Sequence, residues 1–129
     1  MVLNQVVFPN YTIGSDALKR IGSEVKKIGN YILVVGGKTA LEKVENDLEK
    51  VFHDYEINCL DFMWYGGECN RNNIQKIVDV VKKNGIDMII GVGGGKALDT
   101  AKAAAHFTEV PIITVPTIAA TCAATTPLS

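Results

Sequence analysis

Apolar positions along this chain alternate between two rhythms. Short continuous runs at Tyr31–Val35, at Met88–Ile90 with Val92, and at Ile112–Val115 have the form of strands covered on both faces. Between them, apolar residues recur at helical spacing. Leu18, Ile21, Val25 and Ile28 make one stripe; Leu41, Val44, Leu48, Val51, Phe52 and Tyr55 a second; Ile74, Ile77, Val78 and Val81 a third. Ser15 or Asp16 caps the first helix and Gly29-Asn30 stops it, while Asn70 caps the third and Asn84-Gly85 closes it. Two further strands are predicted at Val6–Phe8, ended by Pro9-Asn10, and at Glu56–Trp64, broken by Gly66-Gly67. The order βαβαβαβ predicts an α/β, Rossmann-like fold: a parallel sheet with helices on both faces.

The second of these runs, Met88–Val92, leads straight into Gly93-Gly94-Gly95 and then into good helix formers, Ala97, Leu98, Ala101 and Ala103–Ala105. Glycine lets a bulky group approach the main chain, and a helix start offers free N–H groups and the positive end of the helix dipole. A phosphate or pyrophosphate suits such a turn. Neither common glycine pattern is complete. Ile90 and Ala97 stand where the phosphate-loop pattern needs Gly and Ser/Thr, and Lys96 replaces the last glycine of the dinucleotide pattern that Gly91 and Gly93 begin. The alternative is a turn that needs glycine only for close packing.

Composition narrows the class. The 129 residues suit one domain, with 47% hydrophobic and 21% charged residues, as in an ordinary globular protein. A net charge of −1 gives no electrostatic case for nucleic acid or an anionic membrane, and no apolar run approaches a bilayer span. Met1–Pro9 has neither a basic segment nor a long apolar one, so no signal peptide is expected. Cys59, Cys69 and Cys122 lack Cys-x-x-Cys spacing, which fits a reduced, cytoplasmic protein.

Gly93–Lys102 (Gly-Gly-Gly-Lys-Ala-Leu-Asp-Thr-Ala-Lys), followed by Val110–Cys122 (Val-Pro-Ile-Ile-Thr-Val-Pro-Thr-Ile-Ala-Ala-Thr-Cys), resembles the iron-containing alcohol dehydrogenase superfamily. The likeness is greatest to its glycerol dehydrogenase and hydroxycarboxylate dehydrogenase branch. It implies an NAD(P)-dependent oxidoreductase acting on a small alcohol, a polyol or a 2-hydroxy acid. It also implies that residues 1–129 are the dinucleotide-binding half of a two-domain, homo-oligomeric enzyme. The all-helical second half would carry the divalent metal, Zn²⁺ or Fe²⁺, so no metal ligand and no catalytic residue is assigned here, and the chain alone is expected to be inactive. A stand-alone nucleotide-binding module and a glycerol-1-phosphate dehydrogenase-like enzyme are the alternatives. The latter's Gly-Lys-Thr turn is matched by Gly37-Lys38-Thr39.

Ligands of open parallel sheets lie beyond the carboxyl ends of the strands. Gly36–Thr39, Gly93–Lys96 and Pro116–Cys122 fall at such ends. The expected cofactor contacts are Gly37, Lys38, Thr39, Gly93, Gly94, Gly95, Lys96 and Asp99. The resemblance extends them to Thr117, Ile118, Ala119, Ala120, Thr126 and Leu128. Lys96 either adds charge at the pyrophosphate or is a solvated first-turn lysine. Asp99, placed in the first helical turn, is read as fixing the turn before any cofactor role. Cys122 stands where glycerol dehydrogenases typically carry an aspartate that contacts the polyol, which favours a carboxylate-bearing substrate over glycerol. The strand Tyr31–Val35 is followed by no acid until Glu42, so the repulsion that would exclude a 2′-phosphate is missing. NADP is therefore expected to serve at least as well as NAD, with Lys38 either reading the 2′-phosphate or pointing to water.

Overall fold

The computed structural model describes residues 2–5, 8–9 and 15–118. Its strands are β1 (Val2–Gln5), β2 (Phe8–Pro9), β3 (Tyr31–Gly36), β4 (Asn58–Trp64), β5 (Met88–Gly93) and β6 (Ile112–Ile118). Its helices are α1 (Ser15–Ile28), α2 (Lys38–Asp54), α3 (Arg71–Asn84) and α4 (Gly95–Thr108). All pairings are parallel, in the order β1-β6-β5-β3-β4, with β2 also on β6. This is the Rossmann-like α/β architecture that the alternating rhythm predicts.

The two faces of the sheet are filled separately because strand side chains alternate. Ile32 and Val34 of β3 join Met88, Ile90 and Val92 of β5 beneath α1 and α2. Leu33, Val35 and Ile89 point the other way, onto Ile77, Val78 and Val81 of α3 and the small stripe Ala101, Ala104 and Ala105 of α4. The alanines let α4 sit close: a Cβ added at Gly91 would lie 3.0 Å from the Cβ of Ala101. Gly22 of α1 makes a second close contact, where a side chain would enter the ring of Tyr55.

Several expectations change at element ends. Val2–Gln5 is an unforeseen strand, and its polar Asn4 and Gln5 disguise it. The strand expected at Val6–Phe8 falls partly outside the described residues. Pro9 lies within β2, paired with Ile118, rather than terminating it; a proline lacks an N–H but is tolerated in a strand with a free edge. β4 starts at Asn58, two residues late, because α2 ends in a turn with Glu56 at φ 55° and Ile57 N–H donating to the Phe52 carbonyl at 2.7 Å. Leu60 and Asp61 together face Leu33, a bulge pinned by the Asp61 carboxylate accepting from Phe62 N–H at 2.8 Å. Ile28, expected on the buried stripe of α1, is exposed at its last residue, whereas Ile21 and Val25 are fully buried; the Leu18 side chain lies outside the described set.

At the amino-terminal edge the Asp87 carboxylate accepts from the N–H groups of Asn30 and Tyr31, at 3.2 and 3.1 Å, tying the start of β3 to that of β5. Among the described residues no helix is long and apolar enough to cross a membrane. Cys59 and Cys69 are free thiols. Burial pushes the Cys59 thiol up to about 11, so its reactive thiolate accumulates only as pH approaches that value. At pH 8 iodoacetamide should therefore label exposed Cys69 in the native protein and spare Cys59 until denaturant is added, as read by peptide mass mapping. Equal native labelling of both would contradict the burial described here.

Candidate functional site

The direction of the chain reverses between β3 and β5. From β3 the chain passes through α2 outward to β4; from β5 it passes through α4 to β6 on the opposite side. The two central strands thus send their following helices apart, and a crevice opens at their carboxyl ends. Both helices begin there with almost no connecting loop. Gly37 alone joins β3 to α2, and Gly94 alone joins β5 to α4. The turns touch through Gly37 N–H donating to the Val92 carbonyl at 3.3 Å.

The glycines have separable roles. Gly91 permits close packing of α4, as described above. Gly93 is required by conformation: its φ is +132°, and a Cβ there would lie 3.3 Å from Ala97 Cβ and 3.4 Å from Gly37 N. Gly37, Gly94 and Gly95 are different. A Cβ at any of the three meets nothing within 4 Å, and Gly37 and Gly94 sit at φ −75° and −90°, open to any residue. Packing within the described fold does not demand glycine at these three positions. The explanation of glycine by close packing therefore holds for Gly91 and fails for Gly94 and Gly95.

Both helix starts also lack side-chain caps. Gly37 and Gly94 are N-caps with no side chain to satisfy the first N–H groups, whereas at the start of α3 Asn70 accepts from Asn73 N–H at 2.9 Å. Two sets of free N–H groups and two positive helix-dipole ends thus share one crevice. This arrangement suits an extended, multiply charged anion.

The charged rim comes from residues distant in sequence. The Nζ of Lys96 lies 2.8 Å from the Glu68 carboxylate, which holds the lysine pKa above its ordinary value through that hydrogen bond and charge. Glu68 sits in the β4–α3 loop. Buried Asn73 fixes this loop by donating to the Glu68 carbonyl at 2.8 Å, and Tyr65 N–H donates to the Gly36 carbonyl at 3.0 Å. Lys38, exposed at the start of α2, places its ammonium 4.3 Å from the ring centroid of Trp64, a cation–π contact. Trp64, the last residue of the predicted strand, is exposed where β4 ends beside Gly36. Glu68 and Trp64 are the rim residues that sequence reasoning missed. No local spacing links Glu68 to a lysine 28 positions away, and Trp64 continues an apolar alternation.

The other expected site residues are distributed as follows. Thr39, Gly93, Gly94, Gly95 and Lys96 lie at the crevice with Gly37 and Lys38. Asp99 is not in the first turn: α4 already begins at Gly95, which makes Asp99 its fifth residue, exposed on the second turn, so the reading of it as fixing the turn weakens. Thr117 is half-buried near the end of β6, paired with Phe8, and Ile118 is the last residue of that strand. Ala119, Ala120, Cys122, Thr126 and Leu128 lie outside the described residues. A cavity of about 490 Å³ lies elsewhere, lined by Cys69, Asn70, Arg71, Ile74, Gln75 and Phe107, and none of the glycine-turn residues borders it. Among the described residues no three His, Cys, Asp or Glu side chains gather as a metal site.

Sheet order and crevice define a Rossmann-like α/β domain. The family description "iron-containing alcohol dehydrogenase" matches residues 9–129, and the chain belongs to that family. It is 40% identical over 119 residues to a glycerol dehydrogenase from Escherichia coli, covering 92% of this chain and 32% of that protein. Over 67 residues it is 49% identical to hydroxycarboxylate dehydrogenase A, also from Escherichia coli, covering 50% and 18% of the two chains. An iron-containing alcohol dehydrogenase structure from Thermotoga maritima superposes with a TM-score of 0.70 over 88% of this chain and 36% of that one; at 24% identity it shows the shared fold. The chain spans about a third of the length of the first curated relatives it matches.

The division of glycine roles can be measured. Gly93→Ala should destabilise the fold by about 1–3 kcal/mol, the cost of a side chain at a strained dihedral. Gly94→Ala should change stability by less than about 1 kcal/mol. Urea unfolding of both variants checks the contrast, and equal losses would remove it.

Proposed function

We propose that residues 1–129 form the dinucleotide-binding part of an NAD(P)-dependent oxidoreductase that acts on a small alcohol, polyol or 2-hydroxy acid. The observation that carries this reading is the set of three glycines, Gly37, Gly94 and Gly95, that packing leaves unexplained at two uncapped helix starts. Bare backbone at that point accommodates a ligand that must touch the main chain, and pyrophosphate has the charge and reach to use both helix starts. The similarity to a glycerol dehydrogenase and to a hydroxycarboxylate dehydrogenase supports the same class.

In this reading the residues of the chain bind and orient. The N–H groups that begin α4 receive the pyrophosphate, with Lys96 beside them and Glu68 limiting the net positive charge. The turn into α2 receives the adenosine end. A bound nicotinamide supplies or accepts hydride at the substrate carbon. The described residues do not provide a donor set for a divalent metal, and no step through a metal is derived from them. The cytoplasm suits the free thiols Cys59 and Cys69.

The turn after β3 carries no acid, so a 2′-phosphate meets no fixed repulsion there, and NADP(H) should bind at least as well as NAD(H). Gly94→Val, which puts a branched side chain into the open space, should weaken both cofactors by at least ~1–2 kcal/mol while the circular dichroism of the fold is kept. Titration by cofactor fluorescence decides it: unchanged affinity in a folded Gly94→Val protein would remove the phosphate site. A strict preference for NAD(H) in the wild type would remove the 2′-phosphate reading.

Substrate preference rests on Cys122. A neutral thiol is a poor acceptor for diol hydroxyls and carries no charge to repel a carboxylate. A small 2-oxo acid should therefore be reduced faster than glycerol is oxidised, and Cys122→Asp should shift the ratio toward polyols. Steady-state rates of the full-length two-domain enzyme with both substrate classes test this. Faster turnover of glycerol by the wild type would overturn it.

A further inference from the structure

Lys96 and Lys38 stand at the starts of the two helices that flank the crevice, but they are held differently. The ammonium of Lys96 is already neutralised by Glu68 at 2.8 Å. Lys38 has no carboxylate within ion-pair distance among the described residues; its ammonium rests on the indole face of Trp64, 4.3 Å from the ring centroid. A π-face attracts a cation without supplying a counter-charge, so Lys38 keeps its full charge and the N–H donors that point away from the ring. The indole itself is fixed by its surroundings. Trp64 pairs with Gly36 in the sheet, and the following Tyr65 N–H is bonded to the Gly36 carbonyl at 3.0 Å. Gly67, at φ +97°, leaves so little room that a Cβ there would lie 3.2 Å from the indole ring. A large apolar side chain kept 45% exposed at the mouth of a ligand crevice is unexplained by the core, because burying it would stabilise the fold.

We propose that Trp64 is a positioning residue for cofactor selection. Its indole acts as a floor that holds the Lys38 ammonium at the turn after β3, where the lysine meets the 2′-phosphate of NADP(H). The inference rests on the nucleotide-site reading above and adds to it the element that converts a flexible lysine into a placed charge. A free lysine side chain loses several rotamers when it pairs with a phosphate; one already resting on an aromatic face has lost part of that freedom. The discrimination between the two cofactors therefore depends on a residue that touches neither phosphate nor base.

The test uses dissociation constants of NADPH and NADH, measured by cofactor fluorescence for the wild-type chain, Lys38→Ala, Trp64→Leu and Trp64→Phe, each checked for folding by circular dichroism. Lys38→Ala and Trp64→Leu should both weaken NADPH by about two- to fivefold, the equivalent of an exposed cation–π contact. NADH should move less than about twofold, and Trp64→Phe, which keeps a π-face, should restore most of the NADPH affinity. The chain's single tryptophan gives a second readout: adenosine 2′,5′-bisphosphate should alter Trp64 emission by neutralising the ammonium above it, and adenosine 5′-diphosphate should not. The proposal is overturned if Trp64→Leu weakens both cofactors equally or neither, or if phenylalanine fails where the fold is intact. If the wild type binds neither cofactor, the nucleotide-site reading falls and the proposal with it. If Gly94→Val abolishes binding while the Trp64 variants leave the cofactor ratio unchanged, only the proposal falls.

Discussion

The parallel pairing of β3 with β5 is the contact on which this structure depends. Ile32 to Gly36 run in register with Met88 to Val92, every one of these residues is buried, and each face of the pair is the floor of one core. Because the chain leaves these two strands in opposite lateral directions, the pairing also creates the crevice. Nothing else in the fold could bring Gly37 and Gly94 together, since 56 residues and two helices separate them along the chain.

The interior of this fold was legible in the sequence because both packing rhythms are unambiguous there. Ile21, Val25, Val44, Leu48, Ile77, Val78 and Val81 sit where helical spacing places them, fully or almost fully buried. The cap at Asn70 and the left-handed Gly85 that closes α3 follow from side-chain and backbone chemistry confined to a few residues. The edges were less legible. Val2–Gln5 forms a strand because β6 offers it a partner 110 residues away, and its own pattern carries no strand signal. The late start of β4 depends on how α2 unwinds at Glu56, which spacing does not encode.

The candidate site divides along the same line. Its glycine turns are contiguous in sequence and were visible at once. The distinction among them was not, since whether a glycine is needed for packing, for a dihedral or for neither depends on neighbours from other elements. Ala101 decides the matter for Gly91 and the φ of +132° for Gly93, while the open space above Gly94 and Gly95 is visible only in three dimensions. The rim is likewise tertiary: Glu68 reaches Lys96 from the β4–α3 loop, and Trp64, at the end of β4, reaches Lys38 through the pairing of β4 with β3. Charge in this crevice is thus set by tertiary contacts, and the net charge of the chain says nothing about it.

The one-residue junctions at Gly37 and Gly94 fix more than position. With a single residue between a strand and its helix there is no slack, so the rotational phase of each helix about its axis is set by the pleat of the strand before it. A residue added at Gly94 would turn α4 by about 100°, carrying Ala101, Ala104 and Ala105 away from the sheet and bringing longer side chains against it. An insertion at either of these two points would on this ground be tolerated far less well than one in an outer loop. The same rigidity that aims the helix starts at the crevice makes the spacing between strand and helix as constrained as the identity of the glycines themselves.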